Sequence, residues 1–429
     1  MTRRILASVS LGVIAALGSL STNASAAHKT FVQDRFAIGF WVDPPADENM
    51  DRHYADIAAA NFTMVIGGFG ATTIETIQRQ IELCEKYDLK AIVAMAGLPP
   101  EQLPEGPAVW GYTIRDEPNF KDFPGLQQTV NEIRKARPGR LSYINLFPNY
   151  ANERQLGTPT YDEHVGRFVD IVGVDVLSMD HYPMMKPDTD SRSRYCSNLE
   201  VMRKYALQQG IPFWNFFNTM PFGPHHDPTE AQLRWQIYTS LAYGARGVLY
   251  FCYWTPRGNE FPKGGAIITA EGRKTRHYDH SQRINSTIKN LGPTLMKLTS
   301  TAVHRVKPDQ DPTPALADTP ITNLTQGDYL VGVFRHADGR QAVLLNNYSF
   351  AYTAWPTVGF SMPLELVREV SKETGKENPI VDDSPDMAGL QISLDSGEGR
   401  LFLLPQVTGR TKIGVSKGAS NFQIAKDKR

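Results

Sequence analysis

The sequence predicts an α/β fold: a (β/α)8 barrel followed by a small all-β sandwich. Three observations predict it. From about residue 36 to residue 255, eight short apolar runs alternate with helical stretches, the pattern of βα units around a parallel sheet. The runs are continuous rather than alternating, which suits strands buried on both faces. After about residue 310 the rhythm changes to short alternating segments separated by turn residues, which describes a β-sandwich.

The expected barrel strands are 36–41, 62–66, 91–95, 109–114, 141–145, 171–176, 213–217 and 247–251. Eight strand–helix repeats over about 250 residues is the size of a closed eight-unit barrel. An open doubly wound sheet is the competing arrangement, but no glycine-rich nucleotide fingerprint follows the first strand. Asp227-Pro228-Thr229-Glu230 offers an N-cap at Asp227 followed by a proline and an acid in the first turn. Leu233, Ile237 and Leu241 then make one apolar helix face before Gly244, and Ile74, Ile77, Ile81 and Cys84 make a comparable stripe over 73–87. In the second part, 329–335 and 341–347 flank the turn Asp338-Gly339 as a hairpin, and 365–370, 390–394 and 400–404 read as further strands. The barrel is therefore placed at 35–305 and the sandwich at 310–406. Residues 407–429 are polar and basic and read as a disordered tail.

At the other end, Arg3-Arg4, an apolar core over 5–20 and the A-x-A site Ala24-Ser25-Ala26 read as a cleaved signal peptide over 1–26. The mature chain is then expected to be secreted or periplasmic. The apolar core is short and broken by Ser and Gly, which argues against an anchor, and no later stretch is apolar enough to span a bilayer. Lys+Arg and Asp+Glu stand at 45 each, so charge points neither to nucleic acid nor to an anionic membrane as partner. Cys84, Cys196 and Cys252 are too few for a disulfide scaffold and lack metal-ligand spacing; Cys84 and Cys252 read as buried free thiols.

The chemistry concentrates where strands end. The fourth run passes into Asp116-Glu117-Pro118, so two carboxylates stand at its carboxyl end and the proline stops the ladder. In a parallel barrel those ends form one rim, on which sites are built. The same rim carries Trp41, Asp43, Asn145, Asp180-His181-Tyr182-Pro183, Asn218 and Trp254. Flat rings suit the apolar faces of sugars, while carboxylates and amides hold hydroxyls. Glycosidic hydrolysis needs an acid that protonates the leaving oxygen and a second carboxylate. Glu117 is the candidate donor and Asp116 its orienting neighbour. Asp180 and Glu260 are the candidate second carboxylates. Trp41, Asp43, Asp116, Asn145, His181, Tyr182, Asn218, Trp254 and Glu260 are candidate substrate contacts. Each also has a structural reading: Glu117 as a helix cap or loop charge, His181 as a satisfied loop histidine, Trp41 and Trp254 as packing in the barrel's top layer. No cofactor is implied. A metal-dependent hydrolase is disfavoured, since no His-x-His pair follows the first strand and His225-His226 lies in a loop.

The order of these features resembles clan A of the glycoside hydrolases. There the acid/base glutamate sits in Asn-Glu-Pro after strand four, and here the matching triplet is Asp116-Glu117-Pro118. Asp180-His181-Tyr182-Pro183 is similar to that clan's substrate-binding segment. The passage from Leu241-Ala242-Tyr243-Gly244 to Tyr253-Trp254 is similar to its approach to the last strand. The resemblance runs over roughly 35–405 and implies a glycosidase acting on an oligo- or polysaccharide, with Glu117 as general acid/base. One departure stands out. The clan's nucleophilic glutamate ends strand seven, where this chain has Asn218, and asparagine cannot form a glycosyl ester. The second carboxylate comes from elsewhere on the rim, or the mechanism uses inversion or substrate assistance, or the barrel binds carbohydrate without cleaving it.

Overall fold

Eight parallel strands wind in sequence order around one axis, each returned by a helix or loop on the outside. The computed structural model describes residues 30–186, 189–258, 261 and 265–405. Its barrel comprises β1 (Ala37–Phe40), α1 (Met50–Ala59), β2 (Met64–Ile66), α2 (Ile74–Lys86), β3 (Lys90–Ala94), β4 (Val109–Asp116), α3 (Phe123–Ala136), β5 (Leu141–Leu146), α4 (Glu153–Leu156), α5 (Tyr161–Val172), β6 (Leu177–Asp180), α6 (Arg192–Gln209), β7 (Phe213–Asn218), α7 (Glu230–Ala242), β8 (Gly247–Phe251) and α8 (Arg276–Leu295). The ladder runs from β2 through β8 to β1, and β1 and β2 meet through Thr63. Its N–H donates to Ile38 O at 2.9 Å, and its Oγ1 accepts from Ile38 N at 2.8 Å.

Side chains of alternate strand residues fill the barrel. Trp110 and Trp214 stack with ring centroids 6.0 Å apart, Tyr143 lies 5.9 Å from Trp214, and Phe31 closes on Trp110 at 5.6 Å. These bulky rings need a small residue opposite. A Cβ at Gly247 would stand 2.4 Å from the Trp214 ring, so β8 has room only for glycine there. The period of two then sets the next layer up: Asn145 follows Tyr143, Asp180 follows Ser178 and Phe216 follows Trp214 on the inward face.

Several expectations shift. The sixth run, 171–176, is not a strand. Ile171 and Val172 finish α5, whose buried face is Val165, Phe168, Val169 and Val172, and Gly173 ends it at φ 69°. The strand itself is Leu177–Asp180, which makes Asp180 its last residue. Helix α7 is capped by Thr229, whose side chain accepts from Gln232 N in a reciprocal capping box, and not by Asp227. Asp227 instead pairs with Arg276 and His277, both at 2.7 Å. On α2, Ile77, Ile81 and Cys84 are buried as expected, but Ile74 in the first turn is exposed. Cys84, Cys196 and Cys252 are free thiols, with Cys84 and Cys252 buried. The expected signal over 1–26, the tail over 407–429 and Glu260 lie outside the described residues.

The antiparallel part begins at Leu298, inside the range assigned to the barrel. It comprises β9 (Leu298–Val306), α9 (Thr313–Leu316), β10 (Ile321–Leu324), β11 (Tyr329–His336), β12 (Gln341–Asn347), β13 (Thr357–Phe360), β14 (Arg368–Val370), β15 (Glu377–Pro379), β16 (Leu390–Gln391) and β17 (Gly399–Leu404). The 365–370 and 390–394 runs shrink to β14 and β16. A six-stranded sheet, β15-β14-β17-β12-β11-β9, faces a three-stranded one, β10-β13-β16. The large sheet's central strands β11, β12 and β17 are buried on both sides. Val331, Val333, Val343, Leu345, Phe402 and Leu404 face the small sheet, while their neighbours Leu330, Phe334, Ala342, Leu344, Leu401 and Leu403 join the barrel's outer core. Helix α7 lies under that second face, and Asn346 Nδ2 donates to Tyr238 O at 2.7 Å across the seam.

Candidate active site

The carboxyl ends of β4, β5, β6 and β7 build one cup, completed by residues just after β1 and at the end of β8. It is lined by Trp41, Asp116, Glu117, Asn145, Asp180, Tyr182, Phe216 and Phe251, and encloses about 490 Å³ including its open mouth. Strand β4 slips register against β5 between Thr113 and Arg115, which carries the chain out to Asp116. Glu117 follows at φ 45°, the left-handed region, with its N–H donating to Asn145 O at 2.8 Å. Pro118 then ends the pairing, and Asn119 caps the short turn leading into α3. The backbone at Glu117 is thus fixed on one side by β5 and on the other by the proline.

One amide joins the carboxylates. Asn145 Nδ2 donates to Asp180 Oδ1 at 3.0 Å and to Asp116 Oδ1 at 3.2 Å. Below it Ser178 Oγ donates to Asn145 Oδ1 at 3.0 Å, and Tyr143 Oη lies 2.9 Å from Ser178 Oγ. Asp180, Asn145, Ser178 and Tyr143 are all buried. Burial, and then the negative charge of Asp116, push the Glu117 carboxyl up to about 7. Burial also raises Asp180 well above the usual carboxylate range, with Glu117 and Asp116 adding to it and the Asn145 bond opposing. Asp116 is raised by burial as well, against the pull of Asn145 and Arg115. Three carboxyls raised together retain a proton near neutral pH, the state a general acid requires.

The structure brings together six of the expected residues: Trp41, Asp116, Glu117, Asn145, Asp180 and Tyr182. The other four among the described residues have different surroundings. Asp43 is buried and accepts from the backbone N–H groups of Phe69, Gly70 and Ala71 at 2.8–3.0 Å, so it holds the loop after β2. His181 is buried, its Nδ1 2.9 Å from Asn198 Oδ1, and burial pulls its imidazole down to about 3. Asn218 is fully buried, and its Oδ1 accepts from Met184 N at 3.3 Å. Trp254 lines a separate cavity between the β1–α1 and β8–α8 loops, edge-on to His53 at 5.0 Å. Phe216 and Phe251 are cup residues absent from the expected set. Both sit at strand ends inside aromatic runs, where alternation could have assigned Phe216 to the inner face. Tyr150, on the loop after β5, packs on His181 at 5.0 Å, and burial, with Asp180 and Glu117 adding to it, keeps its phenol neutral. No motif marks it.

Residues 141–291 match the model of a family described as beta-galactosidase, Glyco_hydro_42. The matched stretch includes Asn145, Asp180 and Tyr182 and starts after Glu117. No curated protein matches the sequence. Among solved structures, a catalytic mutant of a GH42 β-galactosidase from G. stearothermophilus superimposes with TM-score 0.57 at 10% identity, over 88% of this chain and 99% of that one. A β-galactosidase from Bacillus circulans sp. alkalophilus gives the same score and identity over 86% and 99%. The β-galactosidase of the psychrophilic Marinomonas ef1 matches at TM-score 0.45 and 11% identity over 59% of this chain and 60% of that one, so this chain spans about three-fifths of that enzyme. At these identities the likeness is one of fold.

Proposed function

We propose that this chain, a (β/α)8 barrel of the clan A glycoside hydrolase type, is a glycosidase that uses Glu117 as proton donor and Asp180 as the second carboxylate. The observation that carries the reading is the meeting of the two in one aromatic-walled cup, where Asn145 holds Asp180 by its side-chain amide and the Glu117 N–H by its carbonyl, with the Glu117 carboxyl pushed up to about 7. Glu117 then keeps its proton in about half of the molecules at neutral pH, and that form can deliver it to a glycosidic oxygen. Asp180 stands where the rim supplies a carboxylate in place of one at the end of β7, whose last residue is Asn218. Trp41, Phe216, Phe251 and Tyr182 offer ring faces to the apolar side of a sugar ring. The family description makes a terminal β-galactoside the first substrate to test. Glu117→Gln keeps size and shape but removes the proton, and turnover should fall by a factor of about 10²–10⁴ while sugar binding persists. Hydrolysis by this variant at the normal rate would rule out Glu117 as the donor. Sugar binding by the native chain with no product over long incubations would rule out catalysis. The anomer first released, followed by NMR, then distinguishes retention from inversion.

A further inference from the structure

Beneath the carboxylates lies a buried file of hydroxyl and amide groups whose polarity can be assigned donor by donor. Asn145 Oδ1 can only accept, so Ser178 Oγ–H is the donor in their 3.0 Å bond. With its single proton used there, Ser178 must accept from Tyr143 O–H across 2.9 Å. Asn145 Nδ2 then faces upward, and its two N–H groups go to Asp116 and Asp180. A flipped amide would set Oδ1 against two carboxylates and leave Ser178 facing an N–H donor. Among the described residues no side-chain hydrogen bond reaches the Glu117 carboxyl.

We propose that Tyr143 and Ser178 are positioning residues, which lock the Asn145 amide so that both its N–H groups donate to Asp116 and Asp180, favour their charged forms and shift the proton of the cluster toward Glu117. The inference rests on the functional reading above. Burial favours the neutral form at each of the three, most strongly at Asp180, and N–H donation opposes burial at Asp180 and Asp116 but not at Glu117. The other titratable groups facing the cluster are Arg115 beside Asp116, and the phenols of Tyr143, Tyr150, Tyr161 and Tyr182 around Asp180. Burial keeps all four phenols neutral, so within the working pH range they leave the assignment unchanged.

The test is Ser178→Ala and Tyr143→Phe in the full chain, with ¹³C NMR titration of labelled carboxyls read beside kcat against pH. In Ser178→Ala the amide is free to turn and the proton moves toward Asp180. The Glu117 midpoint should then fall by about 1 pH and kcat by about tenfold, with the basic limb of the profile moving to lower pH. Tyr143→Phe should move the same three quantities in the same direction by less. A merely structural role would lower the melting temperature and leave the Glu117 midpoint in place, and that result in the folded variants overturns the proposal. If Ser178→Ala does not fold, Tyr143→Phe decides alone. A native chain that cleaves no glycoside defeats the functional reading, while the carboxyl midpoints still test the lock.

Discussion

Glu117 is an unfavourable residue for the fold that carries it. A side chain at φ 45° costs about 1–3 kcal/mol relative to an unstrained backbone, and the neighbouring carboxyls add repulsion whenever they ionise. The pH dependence of stability follows. Folding raises the Glu117 carboxyl from its ordinary 4.5 to about 7, so the native state binds this proton more tightly than the unfolded chain does. The stability associated with it is present in full below about pH 4.5 and is lost as the pH rises through about 7. Glutamine does not titrate. Glu117→Gln should therefore melt close to the native chain at pH 4.5 and at a higher temperature at pH 8. Equal melting temperatures at both values would show that Glu117 ionises without penalty. The sequence made Asp116, Glu117, Asn145 and Asp180 legible because each lies at the end of an apolar run, where barrel geometry leaves little choice of place. It did not show which way a rim side chain turns. Asp43 reads as a rim acid but is taken up by three backbone N–H groups, and His181 by Asn198.

At the scale of elements, the barrel's interior is set by ring against glycine. Gly247 in β8 faces Trp214 in β7, and an added Cβ would lie 2.4 Å from the indole. The indole cannot retreat, because Trp110 and Tyr143 stand at about the same distance behind it. Gly247→Ala should destabilise the chain by about 1–3 kcal/mol, measured by urea unfolding. A loss below about 0.5 kcal/mol would mean that the ring has space to move. Seven of the eight strands were legible from apolar runs alone. The sixth was misplaced because 171–176 is apolar for two reasons at once. Its first residues complete the buried face of α5 and its last ones lead into β6, with only Gly173, at φ 69°, marking the break. A run shared between a helix end and a strand approach carries no period of its own.

Across the whole molecule, the six-stranded sheet belongs to two cores. One face of β11, β12 and β17 packs on the small sheet and the other on the barrel's outer layer, through Leu330, Phe334, Leu344, Leu401 and Leu403. The barrel is therefore not a separable unit, and its boundary at Leu298 marks a change of topology rather than a gap in packing. A chain ending after α8 should be recovered as aggregate, and the intact chain should show one calorimetric transition. Two well-separated transitions in the intact chain would contradict this. The double-faced sheet also sets an order of events at birth. Helix α7 ends at Ala242 and the last strand of the sheet that covers it ends at Leu404, so 162 residues must follow before that sheet is complete. Throughout that interval Trp235 and Tyr238 lack their final neighbours, and the nascent barrel presents an oily flank to whatever surrounds the ribosome. The last strand to be made is the one that seals the first domain.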